Sequence, residues 1–228
     1  MATPKFLQHY NLLIQGDGAI WDIIGEDPVA SSVAVNPATV DEIYTTTVQG
    51  ITTLRCTYKE LTALPDGSSF TALQHLDMSK CTLIENIPPT WQGENSTSTL
   101  TKLILNETKV ASIPTSFTAL TELDVSGCRR ITSINCSTLT ILETSNSTVI
   151  ELLNPTSLKY LIALNSRITA LPNTATALLF VAWSSIFTST SLVVDNTLTA
   201  LELIVTTDSV QNIGVGAGTF AIRKINFF

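Results

Sequence analysis

Apolar residues recur along this chain on a fixed template, not in helical or simply alternating runs. In ITTLRCTYKELTALP from Ile51 and LTKLILNETKVASIP from Leu100, apolar side chains stand at offsets 0, 3, 5, 10 and 13, with Pro at offset 14. The segment from Leu158 keeps the template with Ala163 at offset 5, and those from Leu73 and Leu120 keep it with one residue added in the second half. Weaker copies start at Ala30, Leu139, Leu178 and Leu198, so nine starts follow one another at separations of 19 to 27 residues. A repeat of this period marks a solenoid of stacked units. Offsets 3 and 5 differ by two, which on a strand puts both side chains on one face. Each copy therefore predicts a short strand whose apolar inner face cannot be buried alone. Parallel stacking of coils buries that face and pairs the strand edges.

Repeat length decides what lies opposite the strands. About 20 residues per coil leave no room for a helix of about 11 residues. Pro65, Pro88, Pro114 and Pro172 at the end of the template also oppose helix there. The predicted fold is a solenoid with a parallel β-sheet on one wall, extended or 3-10 segments on the other, and little α-helix. Residues 1–29, with Phe6, Trp21, Ile23 and Ile24, are expected to form an N-terminal cap. Residues 30–213 form the solenoid of about nine coils, and 214–228 a C-terminal capping strand or tail, all in a single domain. The long step from Leu73 to Leu100 predicts a surface excursion between Thr90 and Ser98.

Leu-x-x-Leu-x-Leu is followed three residues later by Cys81, Thr108, Cys128, Ser147 or Ser166. This pattern, from about Ala30 to Val205, resembles the leucine-rich repeat. The resemblance implies a parallel-sheet solenoid that binds proteins and is not an enzyme. The chain departs from the family pattern in having no Asn at the ladder position, with Lys59 and Ile186 occupying it in two copies.

Composition agrees with strands. Only 14% of residues are charged and 44% are hydrophobic, while 35 Thr and 21 Ser replace the missing charge. That excludes intrinsic disorder, and β-branched Thr favours half-buried pleated surface. A net charge of −7 and a pI near 4.7 remove the basic footprint that nucleic acid or an anionic membrane surface requires. The charge-free stretch from Ile168 to Val194 is interrupted by Pro172, Asn173 and many hydroxyl residues, so it predicts soluble core and not a membrane span. The first residues show no signal-peptide core.

The chemistry-bearing residues are few. Four cysteines lack zinc or redox spacing, and Cys81 and Cys128 fall two coils apart, about 10 Å, too far for a disulfide. Free thiols are expected, which fit the cytoplasm or a particle assembled there. Of the sequons at Asn95, Asn106, Asn135 and Asn146, only Asn95 in the excursion is placed as an acceptor. His75, Asp77 and Ser79 share one strand face, but alternate residues lie nearly 7 Å apart and an open sheet supplies no oxyanion hole. No catalytic residue, metal set or cofactor is expected.

What remains is the outward strand face, at offsets 2, 4 and 6. Its first half is charged: Arg55, His75, Asp77, Lys102, Glu122, Asp124 and Glu143. Its second half is apolar: Ile141, Tyr160, Ile162, Leu164, Phe180, Ala182, Ala200 and Ile204. Such a patch predicts a docking surface, with Ile141, Tyr160, Ile162, Leu164 and Phe180 as contacts and Glu122, Asp124 and Glu143 as an acidic rim. The other reading has a neighbouring segment, such as the terminal Asn226-Phe227-Phe228, covering it. The function expected is a module that binds a protein partner or neighbouring subunits. One alternative is a structural component of a virus or phage particle or cell-surface layer. A third is a host-directed effector or adhesin.

Overall fold

The computed structural model describes residues 21–25, 51–56, 70–92, 99–135, 137–185, 191–195, 197–206, 209–213 and 221–224. The chain divides into two compact units, Met1–Leu120 and Thr121–Phe228.

In the first unit, β1 (Trp21–Gly25), β2 (Ile51–Cys56), β3 (His75–Asp77) and β4 (Lys102–Ile104) lie side by side in chain order. The last three run parallel, and β1 pairs antiparallel with β2. A 3-10 turn at Pro89–Gln92 follows Pro88. The ring of Trp91 stacks on Phe70 at 5.1 Å, and both are buried.

In the second unit, β5 (Glu122–Asp124), β7 (Ile141–Glu143), β9 (Tyr160–Ser166), β10 (Phe180–Ser185), β12 (Leu203–Thr206) and β14 (Ala221–Lys224) form the strand wall in that order, all parallel. Across the coil, β6 (Ser133–Asn135) pairs with β8 (Glu151–Leu153), and β11 (Ser191–Asp195) with β13 (Ser209–Ile213), also parallel. The second wall is extended chain, and no α-helix occurs among the described residues. This is the predicted parallel-sheet solenoid.

The template maps onto the core column by column. Offset 0 supplies Leu73, Leu100, Leu120, Leu139, Leu158 and Leu178, and offset 3 supplies Leu76, Leu103, Leu123, Leu142, Leu161 and Val181, all buried. Offset 5 varies in size: Met78, Leu105, Val125, Thr144, Ala163 and Trp183. The small Ala163 lies in register with Trp183, whose indole Nε1 donates to the Ile168 carbonyl at 2.8 Å. The departure at Ala163 thus makes room for the largest side chain of the column.

Four strands, β3, β4, β5 and β7, end in the same turn. The offset 8 amide bonds the offset 5 carbonyl in Cys81, Thr108, Cys128 and Ser147. Offset 7 has positive φ in five successive coils, at Lys80, Glu107, Gly127, Asn146 and Asn165. A positive φ at the third residue of the turn is the type II signature. Offset 7 amides then bond the offset 6 carbonyl of the next coil, as in Gly127 to Ser145 at 2.8 Å. Hydroxyl side chains do the same along the stack: Thr99 Oγ1 donates to Leu73 O at 2.7 Å, Thr140 Oγ1 to Thr121 O at 3.1 Å and Thr148 Oγ1 to Ile131 O at 2.9 Å. Part of the Thr and Ser content therefore satisfies backbone carbonyls between coils.

One expectation changes. The copy placed at Leu198 starts at Leu201, because Phe180 pairs with Leu203 and Val181 with Ile204. Leu198 instead fills the turn before the strand, where its carbonyl accepts from the Leu201 amide, as Ala175 does before Leu178. The copy at Ala30 lies outside the described residues. The excursion from 93 to 98 with Asn95, the ladder residues Lys59 and Ile186, and Phe227 with Phe228 also lie outside the described residues.

Candidate protein-interaction face

Parallel pairing without offset aligns the outward side chains of the second unit in two rows. One row reads Glu122, Ile141, Tyr160, Phe180, Leu203. The other reads Asp124, Glu143, Ile162, Ala182, Val205. Paired positions on adjacent strands lie about 4.8 Å apart, so neighbours in a row touch and partly shield one another. Ile141, Ile162, Leu164, Phe180, Ala182, Leu203 and Val205 are half-buried, while Tyr160 is 43% exposed. The structure brings together all the predicted contact residues and the three acidic ones beside them.

Ile204 does not belong to this face. It is fully buried, and the three-residue correction of its coil puts Leu203 and Val205 outward in its place. The sequence held the signal in Leu201-Glu202-Leu203-Ile204-Val205, where polar Glu202 directly follows the apolar start, as Gln74, Lys159 and Thr121 do in other coils.

The acidic end has internal structure. Asp124 Oδ1 accepts from the Ser126 amide at 2.8 Å and from Ser126 Oγ at 2.5 Å, closing the turn after β5. Asp124 lies in register beside Glu143. Partial burial, and secondarily the Asp124 charge, push the Glu143 carboxyl above its ordinary value of 4.5. Like charges opposed on adjacent strands are unfavourable.

His75, Asp77 and Ser79 also receive a structural account. Asp77 is buried, and its Oδ1 accepts from both the amide and the hydroxyl of Ser79. That repeats the Asp124–Ser126 arrangement and ties the carboxylate to a turn. Cys81 and Cys128 are buried at the ladder position and form no disulfide. The side chains of Cys56 and Cys136 lie outside the described residues.

One apolar site escaped the pattern. Ile150 and Leu153 are 53% and 39% exposed on the second wall, either side of inward Leu152. In Val149-Ile150-Glu151-Leu152-Leu153 the template needs only two apolar residues, and the surplus is what faces out. No described helix is long and apolar enough to cross a membrane.

A leucine-rich-repeat family model matches residues 72–93. No curated protein matches the chain in sequence. Among solved structures, the chain is similar to the functional domain of InlJ from Listeria monocytogenes, which includes a cysteine ladder, at 19% identity and a TM-score of 0.45. The similarity covers 65% of this chain and 36% of that one, so the chain spans about a third of InlJ's domain.

Proposed function

We propose that this leucine-rich-repeat chain is a non-enzymatic protein-interaction module that docks its partner on the outward strand face of the Thr121–Phe228 unit. The observation that carries this reading is the Tyr160 ring, 43% exposed at the centre of two aligned apolar rows. Solvated sheet faces do not align large apolar side chains on successive strands without a use for them. Aromatic anchors ringed by aliphatic side chains, with charge at one margin, form the usual core and rim of a protein contact.

The assembly-component alternative rests on the hydroxyl-rich, charge-poor composition and on the apolar last residues. Thr99, Thr140 and Thr148 use their hydroxyls inside the stack, so that composition does not by itself favour the alternative. The test is the double variant Tyr160→Ala, Phe180→Ala. The expected result is loss of partner capture by the immobilised chain with an almost unchanged melting temperature, because outward residues contribute little to the core. A large drop in melting temperature with capture intact would show that the patch is internal packing.

A further inference from the structure

The two rows of the face limit what can lie on it. Each strand from β5 to β12 contributes one outward side chain to each row, so successive members of a row stand about 4.8 Å apart. A segment lying across the strands must present its side chains at that spacing. An extended segment shows one face only every 6.8 Å or so, and is out of step by about 4 Å after two strands. An α-helix returns to the same line every turn, about 5.4 Å, and is out by only about 1 Å. Its apolar stripe at i, i+3, i+4 and i+7 can touch both rows at once.

The chemistry of the rows changes once along the stack. Tyr160, Phe180, Ile162 and Ala182 are apolar, whereas Glu122, Asp124 and Glu143 lie at the β5–β7 end. From β5 to β12 neither row contains a Lys or Arg. Asp124 Oδ1 is held by Ser126. The Glu143 carboxyl is raised by burial and by Asp124, the opposite of what a neighbouring cation would do.

Resting on the reading of this face as a docking surface, we propose that its occupant is an amphipathic α-helix of a partner protein. The helix lies across the strands with its apolar stripe on Tyr160, Phe180 and Ile162. One to two turns further on, a Lys or Arg meets Glu143 and Asp124. From β5 to β12 the face spans about 19 Å, which a helix of about 13 residues covers. A second copy of this chain fits less well: its own rows from β5 to β12 add carboxylates and no cation, and its described residues include no α-helix.

Fluorescence anisotropy with the full chain and labelled helical peptides of about 18 residues tests it. One peptide carries a Leu stripe and two Lys at one end. A second replaces the Lys with Glu, and a third shuffles the first so that the stripe is lost. The first should bind, with the Glu and shuffled peptides weaker by about tenfold or more at low salt. Tyr160→Ala, Phe180→Ala should abolish binding, and Glu143→Lys should reverse the preference between Lys and Glu peptides. If Glu143→Lys lowers the melting temperature, Glu143→Gln carries the comparison through a reduced preference. Equal binding of the Lys and Glu peptides overturns the basic partner, and equal binding of the shuffled peptide overturns the helix. No binding up to about 1 mM overturns this occupant, but leaves the docking face standing if Tyr160→Ala, Phe180→Ala still abolishes capture of another protein. Self-association in sedimentation velocity that the aromatic double variant removes would assign the face to a second copy and overturn the helix as well.

Discussion

Asn165 donates from Nδ2 to Asn146 Oδ1 at 3.1 Å, one coil away, and both residues hold a left-handed backbone, with φ of 50° and 56°. Asn and Gly tolerate this region because a short polar group or no Cβ relieves the clash with the carbonyl. Lys80 and Glu107 occupy the same turn position with φ of 64° and 60°, and neither has that relief. Glu107 is exposed, so little packing depends on its side chain. Glu107→Gly should stabilise the fold by about 0.5–1 kcal/mol, the relief of strain exceeding the entropy gained by the unfolded chain. Gly127→Ala should cost about 1 kcal/mol. Thermal melts of both variants check the pair, and equal shifts in the same direction would be inconsistent with it.

Thr144 stands in the offset 5 column, fully buried, and its Oγ1 has no hydrogen-bond partner. Its counterpart in the preceding coil is Val125, a side chain of the same shape without the hydroxyl. An unsatisfied buried hydroxyl costs about 1–3 kcal/mol. Thr144→Val should therefore raise stability by about 1 kcal/mol, read as a higher urea midpoint at unchanged slope. Val125→Thr should do the reverse.

At the ladder position, Ser166 Oγ accepts from the buried Ile168 amide at 3.0 Å, and Ser147 Oγ accepts from Val149 at 3.3 Å. These bonds carry the chain from the turn into the second wall. Ser166→Ala leaves the Ile168 amide without its acceptor, at a cost of about 1–2 kcal/mol. Hydrogen exchange at Ile168 should accelerate well beyond the global change, whereas a uniform rise across the unit would assign the loss to packing alone.

The strand wall was legible because its inner columns repeat in composition and in spacing: Leu at offsets 0 and 3 survives in nearly every coil. The second wall was legible in kind from coil length and from Pro88, Pro114 and Pro172, but its pairing of Ser133–Asn135 with Glu151–Leu153 was not. That pairing depends on how many residues each turn spends, which apolar spacing does not encode. The last coil went astray because Leu198 and Leu201 are both apolar and three apart, so the template fits either start, and only pairing with β10 decides. The Lys80 and Glu107 turns were invisible for a related reason: backbone geometry imposed by the stack overrides local preference there. On the interaction face, Tyr160 and Phe180 were found because offset 2 is fixed by the strong Leu158 and Leu178 anchors. Leu203 and Val205 were missed with their anchor.

Glu143 gives the face a pH signature. Its carboxyl is raised above the ordinary 4.5 by partial burial first and by Asp124 second. A group whose folded-state value is raised favours the fold when protonated. Its contribution is fully present below about pH 4.5 and is lost as pH rises through the higher folded-state value. At neutral pH the ionised Glu143 is therefore a small net burden, moderated because the side chain is only half-buried and solvent screens it. Glu143→Gln should be more stable than the parent at pH 7 by about 0.5 kcal/mol at low salt. The difference should shrink with added salt and vanish as pH falls below 4.5, where the parent carboxyl is also neutral. Asp124→Asn is the control that separates charge from geometry: it removes the same repulsion but weakens the acceptor of the Ser126 turn, so its gain at pH 7 should be smaller or negative. Melting temperatures of the three chains at pH 7 and pH 4 decide the matter, and a Glu143→Gln advantage that persists unchanged at pH 4 would remove charge as its cause.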